Sequence, residues 1–396
     1  MVRQQMTAAI KRSTIAALYL WPLVAVGAGS VPIVPQPPEI NATAYILVDY
    51  DTGDVLAEKN ADARVPPASL TKIMTSYIAA REIESGRIHL SDDVPISVNA
   101  WKHAAPQQQQ SAMFIREGTT VKLEDLLRGI IIQSGNDATV AVAEYVAGTE
   151  DAFVDLMNQQ AKALGMLGTH FMNSDGLPDP EHYSTARDLA TLARALIHDH
   201  PQHYAIYAEK SFRYNNIDQP NRNRLLWRDR TVDGVKTGHT KEAGYCLIAS
   251  ALRDGMRLIS VVTGTNSDEA RTRENAKLLS FGYRFYETRK LYDAGATLRT
   301  DEVWYGKDNE VPLGVAAPVY VTIPRGRYAD LKTETDVTPV VKAPFGAGDA
   351  FGQLRVTLDD KPVAMAPITA LAAVEEAGWL KRVWQHIFLF FRGLFS

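Results

Sequence analysis

Strand-like runs on either side of a long helical block constrain this chain more than any other feature. Residues 44–60, AYILVDYDTGDVLAEKN, alternate about an Asp51-Thr52-Gly53-Asp54 turn and read as a β-hairpin. Helical patterns then dominate from Ser69 to about Gly148, the longest being TVKLEDLLRGIIIQSGNDATVAVAEYVAG, and continue at 150–166 and 185–200. Two β-rich runs follow around Arg253-Asp254-Gly255, and 270–289 returns to a helical pattern. That order describes an α+β sandwich in which an antiparallel sheet is covered by helices.

The remaining pieces divide the 396 residues further. From 289 to 374 short alternating runs such as APVYVTIPRGRY and GQLRVTLDD, bounded by Gly, Pro and Asp, predict a small all-β domain. Residues 375–396 predict an amphipathic helix. Leu380, Val383, Trp384, Ile387, Phe388, Phe391, Leu394 and Phe395 make one face, with Lys381, Arg382, Gln385, His386 and Arg392 away from it. The run is too short to span a bilayer and suits the headgroup plane of a membrane, the alternative being a helix docked on the protein's own core. At the other end Arg3, Lys11 and Arg12 precede an apolar run from Thr14 to Ala28 and the small residues Ala28, Gly29 and Ser30. Residues 1–30 thus read as an export signal, or alternatively as an uncleaved anchor. A Pro-rich lead-in occupies 31–40, leaving 41–288 for the helix-covered sheet.

A net charge of −4 argues against a general nucleic-acid binder. One cysteine, Cys246, rules out an internal disulfide and a thiolate-rich metal site, and no H-E-x-x-H pair supports a zinc hydrolase. No cofactor or metal is expected. What stands out is three short signatures in one order, each at an element edge: Ser69-Leu70-Thr71-Lys72 after Pro66-Pro67-Ala68, Ser134-Gly135-Asn136 after GIIIQ, and Lys236-Thr237-Gly238 opening a β-run. Taken alone, Ser69 reads equally well as a helix cap. Together the three point to chemistry. A serine hydroxyl needs a base before it attacks, and residues three apart share a helical face, so the Lys72 amine can reach Ser69. Burial and a neighbouring cation, with Lys236 as candidate, would keep Lys72 neutral enough to act. Ser134 can relay a proton to a departing amine, and Asn136 can hold a peptide carbonyl. Gly238 lets a substrate backbone approach an edge strand, with Lys236, Thr237 and Thr240 facing an anionic group.

The trio resembles the S-x-x-K, S-D-N and K-T-G set of penicillin-binding proteins and class A β-lactamases, with S-G-N as its second element here. QSGNDA, NSDGL, STARDLA, NRNRLLW, VDGVKTGHT and AGYCLIASA extend the likeness to membrane-anchored D-alanyl-D-alanine carboxypeptidases, the penicillin-binding proteins of low molecular mass. The resemblance implies a transpeptidase-like (β-lactamase-like) fold, Ser69 as acylated nucleophile and Lys72 as proton acceptor. Ser134 and Asn136 would complete the site and Lys236 would bind substrate. It further implies an oxyanion hole from the backbone N–H groups of Ser69 and His239, and Arg271 near the terminal carboxylate. Asp175 stands where the family often has histidine, and receives no catalytic role. The His239 imidazole and Cys246 read as structural.

The expected activity is removal of the terminal D-alanine from peptidoglycan pentapeptides, in cell-wall maturation and cell shape. β-Lactam antibiotics would be the expected inhibitors. The expected place is the periplasmic face of the inner membrane, reached through the C-terminal helix. Two rivals stand beside it. A β-lactamase of the same fold would need a deacylating Glu in an E-x-x-L-N loop, which HFMNSDGLPDPEHYSTARD lacks. A membrane-bound scaffold would leave the trio unexplained.

Overall fold

The computed structural model describes residues 34–103 and 111–394, with side chains as far as Phe388 in the last helix. The expected signal segment, the first residues of the lead-in, Phe395 and the side chains of Phe391, Arg392 and Leu394 lie outside what is described.

The first half contains, in order, β1 (Ala44–Asp49), β2 (Val55–Lys59), α1 (Lys72–Glu84), β3 (Asp93–Pro95), α2 (Val98–Lys102), β4 (Thr120–Lys122), α3 (Leu123–Arg128), α4 (Asn136–Ala147), α5 (Glu150–Ala163) and α6 (Ala186–Asp199). Then come α7 (Pro201–Tyr204), β5 (Ser211–Tyr214), β6 (Ile217–Pro220), α8 (Leu225–Arg228), β7 (Val232–Thr240), β8 (Gly244–Arg253), β9 (Met256–Thr265) and α9 (Asp268–Phe285). One antiparallel sheet runs β2-β1-β9-β8-β7, so the N-terminal hairpin joins strands about two hundred residues away through β1 and β9.

The sheet is buried on both faces, and alternate residues sort into two cores. Ile46, Ile248, Ile259 and Val261 face α1, α4, α5 and α6. Leu47, Leu247, Leu258 and Val262 face Leu278, Leu279 and Phe281 of α9. Helix α1 lies in the middle of the first layer, buried from Lys72 through Ala80, which is why its sequence is apolar on more than one side.

Two expectations shift. The stretch 120–148 is not one helix. A three-residue ribbon, β3 with β4, precedes α3, and a wide turn at Gly129–Gln133 delivers Ser134 in the left-handed conformation before α4 begins. Strands this short show no periodicity. The helix of 270–289 ends at Phe285, because Tyr286–Tyr292 pairs as a strand with Val319–Pro324. Tertiary pairing here overrides local propensity.

The second half is all β. Six strands (Lys332–Val337, Ala350–Leu358, Lys361–Ala370, Glu310–Val315, Ala296–Trp304 and Val341–Lys342, in spatial order) join the 286–292/319–324 pair around Val311, Leu313, Val321, Leu354 and Val356. Buried Asp49 at the end of β1 accepts Thr288 Oγ1 (2.5 Å), and Thr52 Oγ1 meets Thr322 Oγ1 (2.9 Å), tying the two halves together. The final helix, Trp379–Leu394, rests on this half. Lys381 Nζ donates to the Gly306 carbonyl (2.6 Å), and Gln385 Oε1 accepts from the Tyr305 N–H (2.6 Å).

Candidate active site

The segment after Pro66-Pro67 enters as a single 3₁₀ turn, Ala68–Thr71, before α1. Ser69 caps neither element, since no side-chain cap bond forms at either start. Its Oγ instead lies 3.3 Å from Nζ of Lys72. The amine also donates to Asn136 Oδ1 at 2.7 Å and to the backbone carbonyl of Asp175 at 2.5 Å. Two remote segments therefore hold it against the Ser69 hydroxyl.

The second signature is shaped by strain. Ser134 sits at φ 71°, an uncommon place for a side chain other than glycine. Its Oγ accepts from Lys236 Nζ at 2.7 Å. Directly behind it, the Asp137 carboxylate takes the backbone N–H groups of Met113, Phe114 and Ile115 at 2.8–3.1 Å, which fixes the start of α4 against the 111–115 segment.

The third signature is the edge strand β7. A Cβ on Gly238 would stand 3.0 Å from the Pro67 carbonyl oxygen, so only glycine lets β7 lie this close to the Ser69 turn. Together the elements enclose a cleft of about 1000 Å³ lined by Ser69, Ser134, Asn136, Thr237, Gly238, His239, Thr240 and Arg271, with Arg222, Arg224 and Asp175. Lys72 (0 % exposed) and Lys236 (2 %) lie beneath its floor.

Burial pulls the Lys72 amine down to about 8; Asp175 opposes this and Arg222 assists it. The expected helper, Lys236, is itself pushed well below the lysine range, first by burial and then by Lys72, Arg222 and Arg271. Two buried amines in one cluster do not both carry charge comfortably, so the cation acting on Lys72 is the guanidinium of Arg222.

The residues expected at the site line this cleft or lie beneath its floor, with two qualifications. Arg271 lines the cleft but is buried, donating to the carbonyls of Gly238 (3.0 Å) and Cys246 (3.3 Å) and to Asp268 (2.5 Å), so it braces β7. The exposed guanidiniums beside it belong to Arg222 and Arg224, both within the NRNRLLW stretch but not singled out there. Asp175, given no role, puts its main-chain oxygen on Lys72. The His239 ring is exposed and stacks 4.0 Å from Tyr245, and burial raises the Cys246 thiol to about 11. Among the described residues, no three His, Cys, Asp or Glu side chains are grouped to hold a metal ion.

Comparison with known proteins agrees with this fold. Residues 32–267 match the family described as D-alanyl-D-alanine carboxypeptidase, peptidase S11, and residues 286–376 match the C-terminal domain of penicillin-binding protein 5. The D-alanyl-D-alanine carboxypeptidase DacC of Escherichia coli is 46% identical over 364 residues, covering 91% of either chain. The crystal structure of penicillin-binding protein 5 from Haemophilus influenzae is 42% identical and superposes with a TM-score of 0.82 over 86% of this chain and 100% of that one. Penicillin-binding protein D2 of Listeria monocytogenes, solved in an ampicillin-bound form, is 29% identical with a TM-score of 0.55 over 63% of this chain and 100% of its own. With a serine hydroxyl 3.3 Å from a buried lysine amine in a cleft of this fold, and matches spanning nearly its whole length, the chain belongs to the S11 family of serine-type D-alanyl-D-alanine carboxypeptidases, the penicillin-binding hydrolases of peptidoglycan.

Proposed function

We propose that Ser69 is the acylated nucleophile of this carboxypeptidase and Lys72 the base that takes its proton. The observation that carries the reading is a buried amine, brought to about 8, lying 3.3 Å from the Ser69 hydroxyl. Ser69 Oγ attacks the carbonyl carbon of the penultimate D-alanine of a stem pentapeptide, and its proton passes to Lys72. The backbone N–H groups of Ser69 and His239 receive the developing oxyanion. The C–N bond then breaks as Ser134, backed by Lys236, hands its proton to the nitrogen of the departing D-alanine and takes the Lys72 proton in its place, leaving the Lys72 amine neutral again. Water hydrolyses the ester, releasing the shortened peptide and restoring the hydroxyl. Asn136 holds a substrate amide and β7 aligns the peptide as an added strand. Lys236, Thr237, Thr240 and Arg222, with Arg271 behind them, face the terminal carboxylate.

A β-lactam amide enters the same cycle and stalls as an ester on Ser69, a reading supported by the ampicillin-bound Listeria relative. Intact-protein mass spectrometry with penicillin tests it. The expected result is one adduct on the wild type and none on Ser69→Ala; an undiminished adduct on the variant would refute the assignment.

We further infer that the enzyme is exported and lies on the outer surface of the cytoplasmic membrane through its last helix. Among the described residues no helix is long and apolar enough to cross a membrane. The last helix, however, turns Leu380 (67 % exposed), Val383 (52 %) and Trp384 (71 %) to solvent while its Lys381 and Gln385 grip the β domain. That orientation disfavours docking on the protein's own core and supports insertion among lipid headgroups. Protein lacking 375–396 should remain soluble on mixing with anionic phospholipid vesicles that sediment the full chain. Equal sedimentation would overturn the inference.

A further inference from the structure

Asp175 is a buried carboxylate of the site paired with a histidine. Its side chain is 1 % exposed. Oδ1 takes the Leu177 N–H at 3.0 Å, and Oδ2 lies 3.3 Å from Nδ1 of His103, the residue that ends α2. Its own backbone carbonyl grips the Lys72 amine. One residue therefore touches the base through its main chain and an imidazole through its side chain.

A carboxylate sealed from water beside an amine favours the ammonium form, which cannot take a proton from Ser69. A second cation on that carboxylate cancels the effect. We propose that Asp175 and His103 form a positioning pair for Lys72: the Asp175 carbonyl aims the amine at Ser69, while protonated His103 balances the Asp175 carboxylate so that Lys72 can lose its proton. The proposal rests on the reading of Lys72 as the base.

The other charged groups around Lys72 do not substitute for this pair. From α4, Asp137 is committed to the N–H groups of Met113, Phe114 and Ile115. From the start of α5, Glu150 accepts from the backbone and hydroxyl of Ser174 (3.0 and 2.6 Å). From the other wall comes Arg222, whose positive charge pushes the same way as His103, while Lys236 is itself pushed toward its neutral form. His103 itself faces Asp175, Glu150 and Lys72. The direction of each shift agrees with the pairing. The hydrogen bond to Asp175 lifts the imidazole above the ordinary histidine range. Burial works to raise the Asp175 carboxyl, yet the His103 bond and the Lys72 charge hold it below the usual carboxylate range. Loss of the Lys72 proton in turn strengthens the hold on the His103 proton, because the sites are coupled.

The two side chains should therefore move the acid limb of catalysis in opposite directions. The measurement is the acylation rate constant with penicillin, and kcat/KM for D-alanine release, from pH 5 to 10 on the full chain. Asp175→Asn removes the anion that favours the ammonium, so the limb should fall by about one pH unit. His103→Gln leaves the anion unbalanced, so it should rise by about one unit, the size expected of a unit charge beside a buried amine. The double variant should behave as Asp175→Asn. A packing defect would lower the rate without such opposed shifts, so limbs that stay in place or move together would overturn the pairing. Asp175→Asn, being isosteric, decides the matter even if His103→Gln is unstable, because an unmoved limb in that variant alone refutes the proposal. Lys72→Ala separates the two levels. If it still acylates, the base assignment falls and the pairing with it. If it is inert while the other two shift together, only the pairing falls.

Discussion

Gly176 offers the sharpest test of how the nucleophile is held. It follows Asp175, sits at φ +87°, and a Cβ there would come 1.9 Å from the carbonyl oxygen of Ala68 and 2.9 Å from Oγ1 of Thr71. Ordinary contact begins at 3.4 Å, so Gly176→Ala requires the two segments to separate by 1.5 Å. Neither can give way cheaply. Ala68 is buried, already at φ +50°, and leads into Ser69; Asp175 carries the carbonyl that binds Lys72. A left-handed alanine costs about 1–2 kcal/mol and overpacking about 1–3 kcal/mol, so stability should drop by about 2–5 kcal/mol. A misplacement of about 1 Å between reacting groups lowers rate about 10²-fold. Denaturant unfolding gives the first quantity and penicillin acylation kinetics the second. Gly348→Ala is the control: φ is +95° there too, but nothing lies within 4 Å and the position is in the β domain, so acylation should be unchanged. If Gly176→Ala acylates within about twofold of wild type, the close approach of the 175–177 loop to the Ser69 turn does not position the nucleophile.

Two further outcomes follow from the charge states. With Lys72 near 8, acylation should rise about fifty-fold from pH 6 to pH 8 as the neutral amine accumulates. Lys72→Arg, which cannot deprotonate, should lose that dependence and about 10²–10⁴ in rate; a retained limb would assign it to another group. His182 is buried and burial brings it to about 4, and its Nδ1 accepts the Met172 N–H (3.1 Å), leaving Nε2–H for Thr71 Oγ1 (2.8 Å). Because the unfolded imidazole titrates near 6.5, the unfolded chain binds the extra proton first. Stability should thus be full above about pH 6.5 and fall by about 3 kcal/mol as pH drops to about 4. Urea midpoints across that window check this, and an unchanged slope in His182→Gln would refute it.

The three signatures were legible because each depends on local facts. Ser69 and Lys72 share a helical face by spacing, Ser134-Gly135 breaks a helical pattern, and Lys236-Thr237-Gly238 lies in a β-prone run. Less legible was the stretch 120–148, where the β3–β4 ribbon is too short to leave a period. Arg271 was visible as a candidate, yet its engagement with Gly238, Cys246 and Asp268 depends on β7 and β8 lying beside α9, which no spacing in the chain reports. Asp175 looked like a missing histidine. Its contribution comes from a main-chain oxygen and from a partner just past the end of α2, neither of which a side-chain motif encodes.

Residue type and order alone settled that this chain carries two hydroxyls, two amines and an amide at the edges of helices and strands, and hence its kind of chemistry. Whether Ser69 caps a helix or meets an amine, which cation lies by Lys72, and which arginines are exposed in the cleft were decided by the folded molecule. The reason is physical: reactivity here depends on desolvation and on charges a few ångströms away, and those neighbours come from segments scattered between residues 69 and 271.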